Sequence, residues 1–124
     1  MNVSYVFACL VVTNRDRART WYEGLFGRPP DFLPYEAEAV WQVAGTASVY
    51  ILADPDRAGH SVLTLVVEDL DSSLAEIAGR GIIPGPIEEI PGAGRKSAMT
   101  DPDGNVVAMV ELLASSGQDA AVIG

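Results

Sequence analysis

The sequence predicts an α+β domain of two consecutive βαβββ modules, residues 1–55 and 60–113, with a tail at 114–124. Three observations carry this reading. An apolar, β-branched segment followed by an amphipathic helical stretch occurs twice, and each pair leads into short apolar segments separated by turn residues. V-T-N-R-D-R-A-R from Val12 matches V-E-D-L-D-S-S-L from Val67 in pattern, the mark of a repeated supersecondary unit. Between the repeats, Asp54-Pro-Asp-Arg-Ala-Gly59 has no apolar period and reads as a connection.

In the first module, residues 2–12 are almost continuously apolar and rich in β-branched and aromatic side chains, which predicts a strand covered on both faces. Asn14 is placed to cap a helix over 15–26. Ala18, Trp21, Tyr22, Leu25 and Phe26 form its apolar stripe, Gly27 suits its C-terminal cap, and Pro29 prevents continuation. Three short strands are expected next, around Phe32-Leu33, at 40–43 and at 47–52, with Gly45-Thr46 as a hairpin turn.

The second module opens with a strand at 62–67. Asp71 is the expected N-cap of a helix whose stripe is Leu70, Leu74, Ile77 and Ala78, ending at Gly79 or Gly81. Strand material follows at 82–83, 87–90, 96–100 and 106–111, the last introduced by the turn Asp101-Pro-Asp-Gly-Asn105. A half this small cannot bury its own sheet, so the modules are expected to pack as one domain spanning 1–124, within a chain or by exchange between chains. The tail, with Ser115-Ser116-Gly117, is expected to be loosely held.

Composition narrows the functional classes. With 17 acidic against 8 basic residues the formal charge is −9, so no nucleic-acid partner is expected. No apolar run approaches the roughly 20 residues of a membrane span, and no signal sequence is evident. A cytoplasmic protein with no membrane partner is expected. Cys9, the single cysteine, has no disulfide partner in the chain and reads as a buried structural thiol.

V-V-T-N-R-D-R-A-R-T-W-Y-E-G-L-F-G together with D-P-D-G-N resembles the vicinal oxygen chelate superfamily, the glyoxalase and bleomycin-resistance-like proteins, over nearly the whole chain. The resemblance implies curled mixed sheets around a shared cavity, helices outside, and a homodimer whose modules pair or swap. Metal-using relatives hold a divalent ion with His, Glu or Gln from four strands. The matching positions here are Phe7, Val49 (within one residue), Val62 and Ala108, none of which can bind a metal. His60, the sole histidine, lies two residues before Val62 and can share its facing side. An all-oxygen site from Asp54, Asp56 and Glu68 is chemically possible, but these residues sit where turn and helix-entry carboxylates are expected in any case. No metal and no cofactor is expected.

Alternation along the strands turns Tyr5, Phe7 and Cys9, Val62, Thr64 and Val66, and Val106, Ala108 and Val110 toward that cavity. Trp41 supplies an aromatic face, with Phe32, Tyr35 and Met99 at the rim. The expected ligand site is therefore Tyr5, Phe7, Phe32, Tyr35, Trp41, Val49, His60, Val62, Thr64, Met99 and Ala108. Such a lining suits an aromatic or cationic small molecule. No pair of proton carriers has the spacing of a catalytic dyad, so no catalytic residue is assigned. The expected function is metal-independent binding of an antibiotic or other aromatic natural product. A metal-independent isomerase or lyase is the alternative, and a ligand-sensing module a third.

Overall fold

Residues 1–113 are described by the computed structural model. The apolar N-terminal segment forms strand β1 (Val6–Val12), and Asn14 carries the chain into helix α1 (Arg15–Phe26) by accepting the Arg17 amide at 2.9 Å. That bond satisfies one of the amides a helix leaves unpaired at its start. Gly27, at φ 77°, closes the other end by donating its amide to Glu23 O at 2.8 Å. Both helix boundaries match the sequence expectation.

Strands β2 (Glu38–Ala44) and β3 (Ala47–Ala53) form a hairpin about Gly45-Thr46, and β3 pairs in parallel with β1, giving the order β1-β3-β2. The strand expected around Phe32-Leu33 reduces to a single bridge between Phe32 and Val40. Pro29, Pro30 and Pro34 flank it and cannot donate to a ladder, which limits the pairing to that point.

The second half contains β4 (Val62–Val66), α2 (Leu70–Gly79), β5 (Glu88–Ile90), β6 (Gly94–Thr100) and β7 (Val106–Leu112) in the sheet order β4-β7-β6-β5. Asp69, not Asp71, caps α2; its carboxylate accepts the Ser72 amide at 3.0 Å. Glu68-Asp69-Leu70-Asp71 offers carboxylates on both sides of Leu70, and the helix starts where Leu70 can be fully buried. Residues 82–87 lie outside the strands, where Pro84 and Pro86 remove amides. The tail expectation at 114–124 lies outside the described residues.

Opposed residues in a sheet share a face, so the strand registers sort each sheet into two sides. Ala8, Val49 and Trp41 share one side of the first sheet, as do Leu10, Ile51 and Ala39. This side packs with Tyr22 and Leu25 of α1 in a core that continues through Leu70 and Ile77 of α2 to Val107 and Met109 of β7. Helices and sheets thus bury one continuous apolar interior. The opposite faces stay open, Phe7 at 62% exposure and Val62 at 75%, so within one chain the sheets do not close around a shared cavity. Among the described residues no helix is long and apolar enough to cross a membrane.

The turn before β7 joins the halves. Asp101 Oδ1 accepts the amides of Asp103 and Asn105, each at 2.9 Å, and its Oδ2 accepts Tyr22 Oη at 2.7 Å and Asn105 Nδ2 at 2.9 Å. Asn105 Nδ2 also donates to Val11 O, and its Oδ1 accepts the Ser61 amide, both at 2.8 Å. Asp-Pro-Asp-Gly-Asn is therefore a fastener between the modules as well as a turn.

Candidate functional site

The open face of the first sheet carries two adjoining hollows of about 410 and 340 Å³ that share Phe7, Pro34 and Val40. Tyr5, Phe32, Leu33 and Ser48 complete the first; Glu38 and Tyr50 complete the second. The site is positioned by β1 and β3: Phe7 stands opposite Ser48, and Cys9 opposite Tyr50. The Phe7 ring lies 4.9 Å from Tyr5 and 6.4 Å from Tyr50, the latter edge-on at 73°. Tyr5 Oη and Ser48 Oγ are hydrogen-bonded at 2.7 Å, which fixes the Tyr5 ring beside Phe7.

The titratable groups here are few. Burial pushes the Cys9 thiol up, against the opposing hydrogen bond from Tyr50; Glu38 adds to the rise. Tyr50 is raised in turn, chiefly by its hydrogen bond with Cys9. Neither group is an anion near neutral pH, so the hollow holds one carboxylate, Glu38, among aromatic and apolar walls.

On the second sheet, register places Thr64 opposite Ala108 and Ala108 opposite Ala98, a row of small side chains on the open face. Val62, Val106 and Thr100 form the neighbouring row on one side; Val66, Val110 and Lys96 form the other. A separate cleft of about 370 Å³ runs beside β4 between Phe26 and Ile77. Its cation, Arg80, is committed to the carbonyls of Gly24 and Leu25, at 2.5 and 3.2 Å, where it caps α1.

The expected site residues divide accordingly. Tyr5, Phe7 and Phe32 come together in the first hollow, whereas Val62, Thr64 and Ala108 share the open face of the second sheet. Trp41, Val49 and Met99 do not line a cavity. They are 0%, 2% and 2% exposed on the helix side, where Trp41 packs 5.4 Å from Phe26 and donates Nε1 to Arg28 O at 3.0 Å. Strand residues alternate faces, so a one-residue slip had exchanged Val40 for Trp41, and Ser48 or Tyr50 for Val49. Tyr35 is exposed outside the lining of either hollow, and His60 is exposed at the connection. Val40, Ser48, Tyr50, Leu33, Pro34 and Glu38 were missed. The signal for Val40 was the aromatic stripe of α1, which needs a large partner on the helix side and so claims Trp41.

The solved structure of a glyoxalase/bleomycin resistance protein from Catenulispora acidiphila is 38% identical to this chain. The two superimpose with a TM-score of 0.83 over 88% of this chain and 98% of that one. The chain belongs to the glyoxalase/bleomycin resistance protein family. Two more distant solved structures share the fold. TnmS3, an antibiotic binding protein from a Streptomyces species, is 21% identical with a TM-score of 0.73, covering 91% of this chain and 99% of its own. The bleomycin-binding protein of Streptomyces verticillus, solved with copper(II)-bleomycin, is 20% identical with a TM-score of 0.73, covering 90% and 98%. No protein-family model and no curated protein matches the sequence.

The metal site of metal-using family members does not fit these residues. Phe7 and Val62 stand exposed without a donor atom, and Ala108 and Val49 are buried, at 5% and 2% exposure, likewise without one. Among the described residues no three His, Cys, Asp or Glu side chains come together as a ligand set.

Proposed function

We propose that this family member binds a planar aromatic small molecule, cationic in part, and sequesters it without a metal and without turnover. The observation that carries the reading is the exposed Phe7 ring, flanked by Tyr5 and Tyr50 and standing beside Glu38 in a chain of net charge −9. Rings favour stacking, a carboxylate among them favours a cation, and the overall charge draws such a ligand in. Cys9 and Tyr50 are held neutral, so neither serves as a base for proton abstraction; this supports binding over isomerase or lyase chemistry. The bleomycin-binding and antibiotic-binding relatives support it by analogy.

The working unit is a homodimer in this reading. Each hollow on the first sheet is open to solvent, and the second sheet presents an open apolar face at Val62 and Val66. Placing the second sheet of one copy over the first sheet of another covers both surfaces and closes the site. The cytoplasm suits a chain with one thiol and no disulfide partner.

Titration with 9-aminoacridine, followed by intrinsic fluorescence and calorimetry, tests the reading. One ligand should bind per site and return chemically unchanged, with affinity unaffected by a chelator. Phe7→Ala should weaken binding by about 1–3 kcal/mol while leaving the melting temperature close to the parent's. Equal affinity in Phe7→Ala, or affinity lost to a chelator, sinks it.

A further inference from the structure

The hydroxyl groups of the first hollow hold one hydrogen more than they can use between themselves. Among the described residues Tyr5 and Ser48 are the only polar side chains in its lining, and the rest of the wall is apolar. Their oxygens lie 2.7 Å apart, which accommodates one hydrogen between two hydroxyls that each carry one. Neither hydroxyl has another partner among the described residues. Gln42, opposite Ser48 on β2, directs its side-chain amide to Gly45 O at 3.3 Å instead. One hydroxyl hydrogen is therefore left over.

Burial decides which hydroxyl keeps it. Ser48 is 2% exposed, so a spare hydrogen there would be hidden from water and incur the full penalty of an unpaired buried donor. Tyr5 is 36% exposed and holds the spare hydrogen without loss, since water reaches it. Ser48 therefore donates to Tyr5, and the phenolic O–H of Tyr5 is the free donor of the hollow. An aromatic molecule seated against Phe7, 4.9 Å from the Tyr5 ring, displaces that water, and Tyr5 then requires an acceptor on the molecule itself. The register sets the distance to the other polar group. Ser48 is four residues from Leu52 on β3, and Leu52 stands opposite Glu38, so the hydroxyl end and the carboxylate end of the adjoining hollows are roughly 13 Å apart.

We infer that Tyr5 is a specificity-determining residue that donates its hydroxyl to a neutral acceptor of the ligand, a carbonyl, ether or ring-nitrogen atom, while Ser48 positions it. The inference rests on the small-molecule-binding reading and narrows it. The ligand carries its cation beside Glu38 and its acceptor at the far end of a body of about two or three fused rings, which spans that gap with a hydrogen bond at each end.

6-Acetyl-2-(aminomethyl)naphthalene and its 6-isopropyl analogue, which differ only in the acceptor, are the probes. Tyr5→Phe keeps the ring and removes the hydroxyl. The ratio of acetyl to isopropyl affinity should fall about three- to tenfold from the parent to Tyr5→Phe, as expected for one hydrogen bond, with isopropyl affinity unchanged or raised. Ser48→Ala should lower the ratio less, because the donor survives while its support is lost. With a ¹³C-labelled carbonyl, the acetyl stretch should lie lower in the parent complex than in the Tyr5→Phe complex, a reading that lost packing alone would not change. The inference is overturned if Tyr5→Phe weakens both probes alike, or if Ser48→Ala lowers the ratio while Tyr5→Phe keeps it. Failure of both probes to bind the parent sinks the binding reading and this inference with it. Binding of both, with a ratio indifferent to Tyr5→Phe, sinks the inference alone.

Discussion

Tyr22 of α1 donates its hydroxyl to Asp101 at 2.7 Å across 79 residues of sequence, from the first helix to the turn before the last strand. The tyrosine is fully buried and Asp101 is 4% exposed, so the bond lies inside the joint between the modules. Burial first, then the hydrogen bond and negative charge of Asp101, drive the Tyr22 pKa far above its ordinary value.

Tyr22→Phe should cost about 1–3 kcal/mol, because it removes a bond to a buried carboxylate. The linkage has a definite sign. With the folded pKa raised, Tyr22 keeps its proton in the native state and loses it in the unfolded state, so its contribution is intact below about pH 10 and declines above it. Chemical denaturation between neutral and strongly alkaline pH should therefore show a steeper fall for the parent than for Tyr22→Phe. Parallel pH profiles would contradict the assignment.

Trp41→Ala should destabilise the fold by about 3–5 kcal/mol, in line with removal of a fully buried aromatic side chain. Thermal melts beside Phe7→Ala supply the contrast. Phe7 is 62% exposed, so its truncation should barely move the midpoint. A near-parental melting temperature for Trp41→Ala would restore it as a cavity wall.

Gly59 has φ 89°, and a Cβ there would strike the carbonyl oxygen of Asp103. Gly59→Ala should lose about 1–3 kcal/mol through strain and displacement of the turn. Urea titration checks this. Gly45→Ala, where an added Cβ meets nothing within 4 Å, is the control that should stay near the parent.

Sedimentation should give a species of about twice 13.1 kDa, as expected if paired copies cover the open sheet faces. Val62→Lys places a charge on a side chain 75% exposed in the single chain, so it should yield a folded monomer. Unchanged circular dichroism with halved mass is the expected pair of results. A monomeric parent removes the paired site.

Helix α1 was legible to the residue because its ends are written in local chemistry: Asn14 accepts an amide, Gly27 adopts positive φ, and Pro29 follows. The α2 start was less legible, since Asp69 and Asp71 are equivalent as caps until Leu70 must be buried. The open faces of β1 and β4 followed from alternation, and Phe7, Cys9, Val62 and Thr64 do stand on them. The middle strands did not yield. Val40 and Trp41 are both apolar, so the pattern carries no sign for which faces the helices; only packing against Tyr22 and Phe26 decides it.

Asn105 Nδ2 binds the carbonyl of Val11, a partner 94 residues earlier. On a ribosome, the first module would emerge with that carbonyl and the Tyr22 hydroxyl still waiting, and neither can be answered until Asp101 and Asn105 of the second module have been synthesised. The repeat looks like two interchangeable copies, yet the nascent first copy lacks its clasp. Completion of the first module is thereby timed to synthesis of the turn before β7.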